Sequence, residues 1–364
     1  MNDISTLALV WGKAWPILAA ILFFGLLIAT HEGGHFLTAK LFKVRVNEFS
    51  LGMGPVLWKK QKAETQYSVR ALPIGGYVAM EGEDGDSDDN RAFTKAKVWK
   101  RAVILVAGAT MNFIMGFLMI LLFVVIGYES TLPKSTIVGI EEGRPFAQHL
   151  QVGDELYKIN GRKVLVRGYE TYLLDRDPDG IHDLVVIRDG EKVLLEDVEM
   201  KRTLEDGNGN LLYGFSTGGE EEKNLGNVLS YTWRECLNVG RLVWLSLGDL
   251  ISGRESVKNV SGIVGVVDLV ADVGAQSATV GIGLLNVLYF FAVISVNLGV
   301  MNLLPIPALD GGRVVCLFVT AAAEKILRRK IDPKYEGYLN GFFMILLMAL
   351  MLLITFKDVW TIFS

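Results

Sequence analysis

Cysteine is almost absent from this chain of 364 residues: there are two, Cys236 and Cys316, far apart and in apolar surroundings. They support neither a disulfide framework nor a cysteine metal cluster. Histidine is nearly as scarce, with four in the whole chain. An excess of charge of one sign is missing too, since 36 basic and 40 acidic residues leave a net −4. Nothing in that balance points to nucleic acid. Residues 1–14 carry a single basic residue, Lys13, which is a poor n-region for a signal peptide. The apolar run that follows is therefore read as a retained span.

Apolar sequence is what the chain has in plenty. Hydrophobic residues make up 51% and the mean hydropathy is +0.36, above an ordinary soluble protein, whose apolar share including glycine is about 45–50%. A charged fraction of 21% is too high for a chain that is all membrane. Spans plus a water-soluble domain are expected. Four long uncharged stretches stand out: Trp15–Thr30 (continuing to about Leu41), Ala102–Tyr128, Val273–Leu309 and Gly337–Phe356. Each reaches or approaches the roughly 20 residues a spanning helix needs. The third is too long for one straight helix and holds Pro305 and Pro307, so its second half is expected to be broken. A membrane tolerates that only where protein or a cavity shields the backbone. The loop between the first two spans and the loop before the fourth (Lys325, Arg328, Arg329, Lys330, Lys334) are both basic. Both are therefore expected on the cytoplasmic side, with 129–272 and both termini outside.

At the end of the first apolar run stands Thr30-His31-Glu32-Gly33-Gly34-His35. Helix positions four apart differ by only about 40° of rotation, so His31 and His35 share a face and can share a metal ion. Glu32 sits beside the first of them, placed to take a proton from water at that ion. This is the H-E-x-x-H arrangement, with zinc the expected metal. Such a motif can also lie idle on a wet helix face, but ionisable groups inside an apolar run are costly and usually functional. Two histidines rarely hold a catalytic zinc alone. The acidic residue of the later apolar region is Asp310, in Asn302-Leu303-Leu304-Pro305-Ile306-Pro307-Ala308-Leu309-Asp310-Gly311-Gly312. Prolines that break the helix and glycines that permit close approach make it the candidate third ligand.

Between the motifs the chain changes character several times. Asn47–Met53 and Gln66–Met80, divided by Gly52, Gly54, Pro55 and Gly75-Gly76, read as hairpins. Their edge either pairs with an extended peptide or belongs to a plain packed sheet. The acidic run Glu81–Asp89 fails as a calcium loop, because Asp89 falls where the turn glycine belongs and Lys95 where the bidentate glutamate belongs. In the second span, Gly108, Asn112 and Gly116 suit a close helix–helix contact. Asp206–Asn210 read as turns, and 226–251 as an amphipathic helix with Leu229, Trp233, Leu237, Trp244 and Leu247 in one sector. That helix lies either in the membrane interface or against the preceding domain.

Two resemblances complete the reading. Gly143-Arg144-Pro145-Phe146-Ala147 followed by Leu150-Gln151-Val152-Gly153-Asp154-Glu155-Leu156-Tyr157-Lys158-Ile159-Asn160-Gly161 resembles a PDZ domain, with later strands at Leu184–Ile187 and Lys192–Val198. The order of HEGGH, Gly108-x-x-x-Asn112, the PDZ-like insert and the Leu309-Asp310-Gly311 segment resembles the site-2 protease family, in particular its RseP-type bacterial branch. Ile74-Gly75-Gly76-Tyr77-Val78 resembles the start of that family's membrane-associated β-loop. The resemblance implies Zn2+ held by His31, His35 and Asp310, Glu32 as general base and acid, Asn112 supporting the site, and Asn297 and Asn302 holding the substrate backbone. It implies a multi-pass protein of the bacterial inner membrane that cuts single-span proteins, such as anti-sigma factors or remnant signal peptides, in regulated intramembrane proteolysis. One PDZ-like unit stands where the best-known Gram-negative relatives have two, and Val260-Ser261-Gly262-Ile263-Val264-Gly265 lacks the proline the family often has there.

The expected fold is thus a polytopic α-helical membrane protein with about four transmembrane helices, a membrane-associated β-hairpin loop and an extracytoplasmic PDZ-like α/β domain. Its segments are 1–41 (first span with the zinc motif), 42–97 (cytoplasmic β-loop), 98–128 (second span), 129–203 (PDZ-like), 204–272 (linker and amphipathic helix), 273–326 (third span region) and 327–364 (fourth span and C-terminus). The competing classes are a metal transporter, which would show repeated halves or several intramembrane sites, and an inactive membrane scaffold, which would lack Glu32.

Overall fold

The computed structural model describes residues 2–83, 85, 87–205, 211–256, 262, 265–266, 269–270, 279–329, 331–332 and 334–363. Asp84 and Asp86 of the acidic run, the Asp206–Asn210 turns, most of Val260–Gly265 and residues 273–278 lie outside them. The chain forms two compact units: 1–119 with 240–364, and 120–239. Among the described residues, four helices are long and apolar enough to cross a membrane: Leu18–Leu41, Val98–Gly127, Gly281–Asn302 and Tyr335–Asp358.

The first unit opens with helix α1 (Asn2–Leu41), followed by strands β1 (Val46–Lys62) and β2 (Thr65–Met80). These two strands do more than form one hairpin. Ser50 pairs both with Tyr77 and with Ser68, while Ser68 pairs also with Lys59. Residues 46–51 therefore lie between two segments of β2, and the 76–80 segment is an edge. The reversals use Gly52, Gly54 and Gly75 at φ +87°, +81° and +72°, a region that strains any side chain bearing a Cβ. Helix α2 (Val98–Gly127) leaves this sheet region and continues into the second unit.

A buried cluster of Ala39, Val44, Val46, Val78, Met80, Phe93, Ile104, Leu105 and Leu317 joins α1, the sheet and α2 to a later helix. The unit resumes in helix α5 (Val280–Asn302), breaks over Leu303–Leu309, and restarts as α6 (Asp310–Leu327) and α7 (Lys334–Phe363). The break falls at the two prolines, as their missing N–H groups require. Gly116 and Gly299 bring α2 against α5: a methyl on Gly116 would lie 2.5 Å from Val296 Cγ2, and one on Gly299 would lie 2.9 Å from the Ala109 carbonyl. Ser295, buried on α5, donates to the Asn112 carbonyl at 2.7 Å.

The second unit is built on a mixed-order antiparallel sheet. Its strands are β3 (Thr131–Ile140), β4 (Glu155–Ile159), β5 (Arg162–Lys163), β6 (Ile181–Arg188), β7 (Glu191–Glu199) and β10 (Phe215–Glu222); short β8 (Leu204–Glu205) and β9 (Leu211–Leu212) pair with each other. The order is β10-β3-β4-β6-β7, with β5 on β4. A one-turn helix, α3 (Glu170–Leu174), packs Leu173 and Leu174 into a core with Phe146, Leu156, Leu184 and Val186. Asp154, 1% exposed, receives Arg188 Nε at 2.7 Å and Nη2 at 2.8 Å, and the Gln151 N–H at 2.8 Å. Burial alone would raise that carboxyl, and these donors more than offset it, holding it below its ordinary value.

One boundary differs from the sequence reading. The sheet does not end at 203, because β10, inside the segment read as linker and helix, is its outer strand against β3. Helix α4 (Leu225–Ser252) follows directly. It buries Val228, Tyr231, Thr232, Cys236 and Val239, and exposes Leu229, Trp233, Leu237 and Trp244.

Candidate metal centre

The site is assembled in the first unit from α1, α2, the β2 edge, the end of α5 and the start of α6. α1 presents His31 and His35 one turn apart. Their Nε2 atoms are 3.3 Å from each other, and Asp310 Oδ2 is 3.3 Å from the first and 3.4 Å from the second. A tetrahedral zinc with bonds of about 2.0–2.1 Å has ligand–ligand edges of about 3.3–3.4 Å. The triangle has the size such an ion needs. Asp310 Oδ2 is moreover buried with no hydrogen bond completed to it, a costly state that a cation between the three atoms would relieve.

Each imidazole is also oriented from behind. His35, 8% exposed, has Nδ1 2.8 Å from the Ile104 carbonyl. That nitrogen must carry the proton and donate it, which leaves the Nε2 lone pair facing the triangle. His31 Nδ1 faces the side-chain amides of Asn112 at 3.4 Å and Asn302 at 3.5 Å. Asn112 Oδ1 is buried and otherwise unpartnered. As placed, both amides turn their Nδ2 toward His31 Nδ1; a metal on Nε2 would put a proton on Nδ1, and a half-turn of the Asn112 amide would bring its unpartnered Oδ1 round to accept it.

Close backbone approach makes this geometry possible. A methyl on Gly108 would fall 2.8 Å from His35 Cε1 and 2.9 Å from His31 Cε1, so α2 presents bare backbone to both rings. Gly34 allows the reciprocal approach, since a methyl there would meet Ala107 and Met111 Cγ, the latter at 2.9 Å. Gly311 and Gly312 do the same against the carbonyls of Leu303, Leu304 and Ile306. A Cβ on Gly76 at the β2 edge would lie 2.9 Å from Glu32 Cγ, so that strand backs the glutamate directly.

The structure thus brings His31, His35 and Asp310 together, with Glu32 next to His31 in sequence and Asn112 and Asn302 flanking it. Asn297 is exposed on α5, and no side-chain hydrogen bond joins it to another described residue. The sequence reading gave Gly108 a helix-packing role; the helix that approaches it is α1, and it does so through the two histidines. It missed Gly76, the Ile104 carbonyl, Ser295 and Asn340, whose Oδ1 accepts the Ala308 N–H at 3.1 Å. Ala308 stands at φ +77°, a position that costs a residue with a Cβ about 1–2 kcal/mol. That strain, two residues from Asp310, has no signal in the sequence.

The sequence profile described as Peptidase family M50 matches residues 19–350. A provisionally named zinc metalloprotease of Clostridium acetobutylicum is 37% identical over 94% of this chain and 97% of its own length. Another, of Fusobacterium nucleatum, is 35% identical over 95% and 99%. The regulator of sigma-W protease RasP of Bacillus subtilis is 26% identical over 95% and 99%. A match of that extent, running from the histidine helix through the Asp310 turn into the last apolar helix, makes this chain a member of peptidase family M50, the site-2 protease family.

Proposed function

We propose that His31, His35 and Asp310 hold the zinc of an intramembrane metalloprotease and that Glu32 moves the proton during peptide hydrolysis. When bound, the zinc supplies Lewis acidity, lowering the pKa of water to about 7 and polarising the scissile carbonyl. Glu32 accepts the proton from the attacking water and returns it to the leaving amine. The Ile104 carbonyl holds the His35 imidazole in the tautomer that keeps Nε2 free, and Asn112, with its amide turned so that Oδ1 accepts from Nδ1, does the same for His31. Asn302 and the exposed Asn297 bind substrate backbone; a polar amide left bare on an apolar helix is costly unless something polar meets it. The β2 edge beside Glu32 offers unpaired backbone to a substrate segment that has unwound from its helix.

The substrates are single-span membrane proteins of the bacterial inner membrane, anti-sigma factors or signal-peptide remnants among them, in regulated intramembrane proteolysis. The name of RasP as a sigma-W regulator supports that class. The sheet unit is PDZ-like and extracytoplasmic, the two basic loops are cytoplasmic, and the exposed apolar face of α4 lies in the membrane interface.

The triangle of ligand atoms with edges of 3.3–3.4 Å carries this reading. Its test is Glu32→Gln, which keeps the volume and removes the base. That variant inserts, retains zinc and captures a tagged single-span substrate in reconstituted membranes, while cleavage falls by at least about two orders of magnitude. His35→Ala loses zinc and cleavage together. Near-normal cleavage by Glu32→Gln refutes the assignment of the base.

A further inference from the structure

Asp310 is the first residue of α6, preceded by a broken segment, and no side chain caps that helix start. Something else must fix where its carboxylate points. One turn further on, Arg313 crosses to Glu83, just beyond the end of β2, with Nη2 2.5 Å from Oε1. The other carboxylate oxygen of Glu83 accepts the Met80 N–H at 3.3 Å. The Glu83 side chain is 9% exposed and that of Arg313 28%, so the pair is poorly screened by solvent. A continuous path results: Asp310, one helical turn, Arg313, Glu83, the end of β2, and Gly76 against Glu32.

Arg313 and Asp310 are also i and i+3 partners on one helix, close enough to meet. The guanidinium therefore bonds to Glu83 and feels the carboxylates of Asp310 and Glu336 as well, Asp310 being the one on its own helix. While Glu83 engages it, Asp310 is left for His31 and His35. We propose that Glu83 is a positioning residue for the metal centre: it sequesters Arg313, keeping that cation from competing with zinc for Asp310, and locks the ligand helix to the strand that backs Glu32. This rests on the reading of His31, His35 and Asp310 as the zinc ligands.

The inference makes an asymmetric demand that a merely structural ion pair does not. Losing Glu83 frees a cation beside a ligand, whereas losing Arg313 frees nothing that competes for it. The experiment measures the rate at which the purified full-length protein, loaded with zinc, gives the metal up to a chromophoric chelator. Asp310→Ala, Glu83→Gln, Arg313→Gln, Arg313→Lys and the double variant Glu83→Gln/Arg313→Gln are compared with the wild type. Asp310→Ala tests the underlying reading, and fast release is expected. Glu83→Gln is expected to release zinc at least about tenfold faster than the wild type, the usual worth of an outer partner to a metal ligand. Arg313→Gln releases it faster by a smaller factor. The double variant falls back to the Arg313→Gln rate, because removing the freed cation rescues the ligand. Cleavage of a tagged single-span substrate by Glu83→Gln falls in kcat with KM unchanged.

If Asp310→Ala retains zinc as the wild type does, the ligand reading falls and the inference with it. If Asp310→Ala releases zinc quickly but Glu83→Gln does not, the inference alone is overturned. A double variant as fast as Glu83→Gln also overturns it, since competition by Arg313 is then not the cause. Arg313→Lys, which keeps the charge and loses the fork, covers the case in which Glu83→Gln does not fold. It releases zinc faster than the wild type, and a wild-type rate counts against the proposal.

Discussion

Replacing Gly108 by alanine sets two effects against each other, and the structure decides which wins. Alanine in a helix interior is favoured over glycine by about 1 kcal/mol, so α2 itself gains. The added methyl, however, would stand 2.8 Å from His35 Cε1 and 2.9 Å from His31 Cε1, where carbon atoms settle at about 3.5–4.0 Å. The overlap with His35 Nε2 is closer still, and the rings or the helix must yield by roughly 0.6–1.2 Å. A catalytic constellation tolerates about 0.5 Å, and a 1 Å misplacement can cost about 10²-fold in rate. Overpacking of this kind costs about 1–3 kcal/mol, so Gly108→Ala is expected to insert and to melt no higher than the wild type, to hold less zinc and to cleave about 100-fold more slowly. Zinc is measured by elemental analysis and cleavage on a tagged single-span substrate, using the same reconstituted samples. Gly33→Ala is the internal control, because nothing lies within 4 Å of a methyl there, and it keeps its zinc. Full zinc and full cleavage in Gly108→Ala would refute the idea that bare backbone at this position sets the histidine geometry.

Other perturbations test other parts of the fold. His31→Ala and Asp310→Ala should each lower zinc content from about one per chain, and full retention in both removes the metal assignment. In a chain whose Cys236 and Cys316 are replaced by alanine, Lys62→Cys and Arg329→Cys should label only from the cytoplasmic side and Glu191→Cys only from outside; the reverse pattern overturns the orientation. Asp154→Asn should destabilise the sheet unit by about 1.5–3 kcal/mol, the worth of hydrogen bonds to a charged group, seen as faster hydrogen exchange across β4 and β6. Because the Asp154 carboxyl lies below its ordinary value, its contribution is present above the unfolded value of about 3.9 and is lost as pH falls through the folded one. Exchange in the wild type should therefore quicken in that acid window, while Asp154→Asn should show less of this change.

The residues proposed to carry the chemistry were legible because each is a rare type in an apolar setting. His31, Glu32, His35 and Asp310 are costly where they stand, and cost is visible in a sequence. The turns at Gly52, Gly54 and Gly75 were legible for a similar reason, since their backbone admits little else. Strand β10 was not. Phe215-Ser216-Thr217-Gly218-Gly219-Glu220-Glu221-Glu222 has no apolar alternation, and it is a strand because β3 supplies the partner. Gly108 and Gly116 give one and the same spacing signal, yet one faces imidazoles and the other Val296. Which surface a small residue meets is a tertiary fact. The Arg313–Glu83 pair spans 230 positions, and no local pattern joins two such residues.

The distribution of the site along the chain also bears on how the enzyme is made. His31 and His35 are synthesised early, and Asp310 follows only after the strand region, the second span, the entire sheet unit and α5. At about 5–20 residues per second, the two histidines wait on the order of half a minute for the carboxylate. Throughout that interval the nascent chain shares a membrane and an insertion machine with other newly made single-span proteins. A pair of imidazoles without its third donor holds a metal weakly and leaves it poorly oriented. On the proposed assignment of His31, His35 and Asp310 as ligands, proteolysis cannot begin until α6 is in place, and the order of synthesis itself keeps the growing enzyme silent.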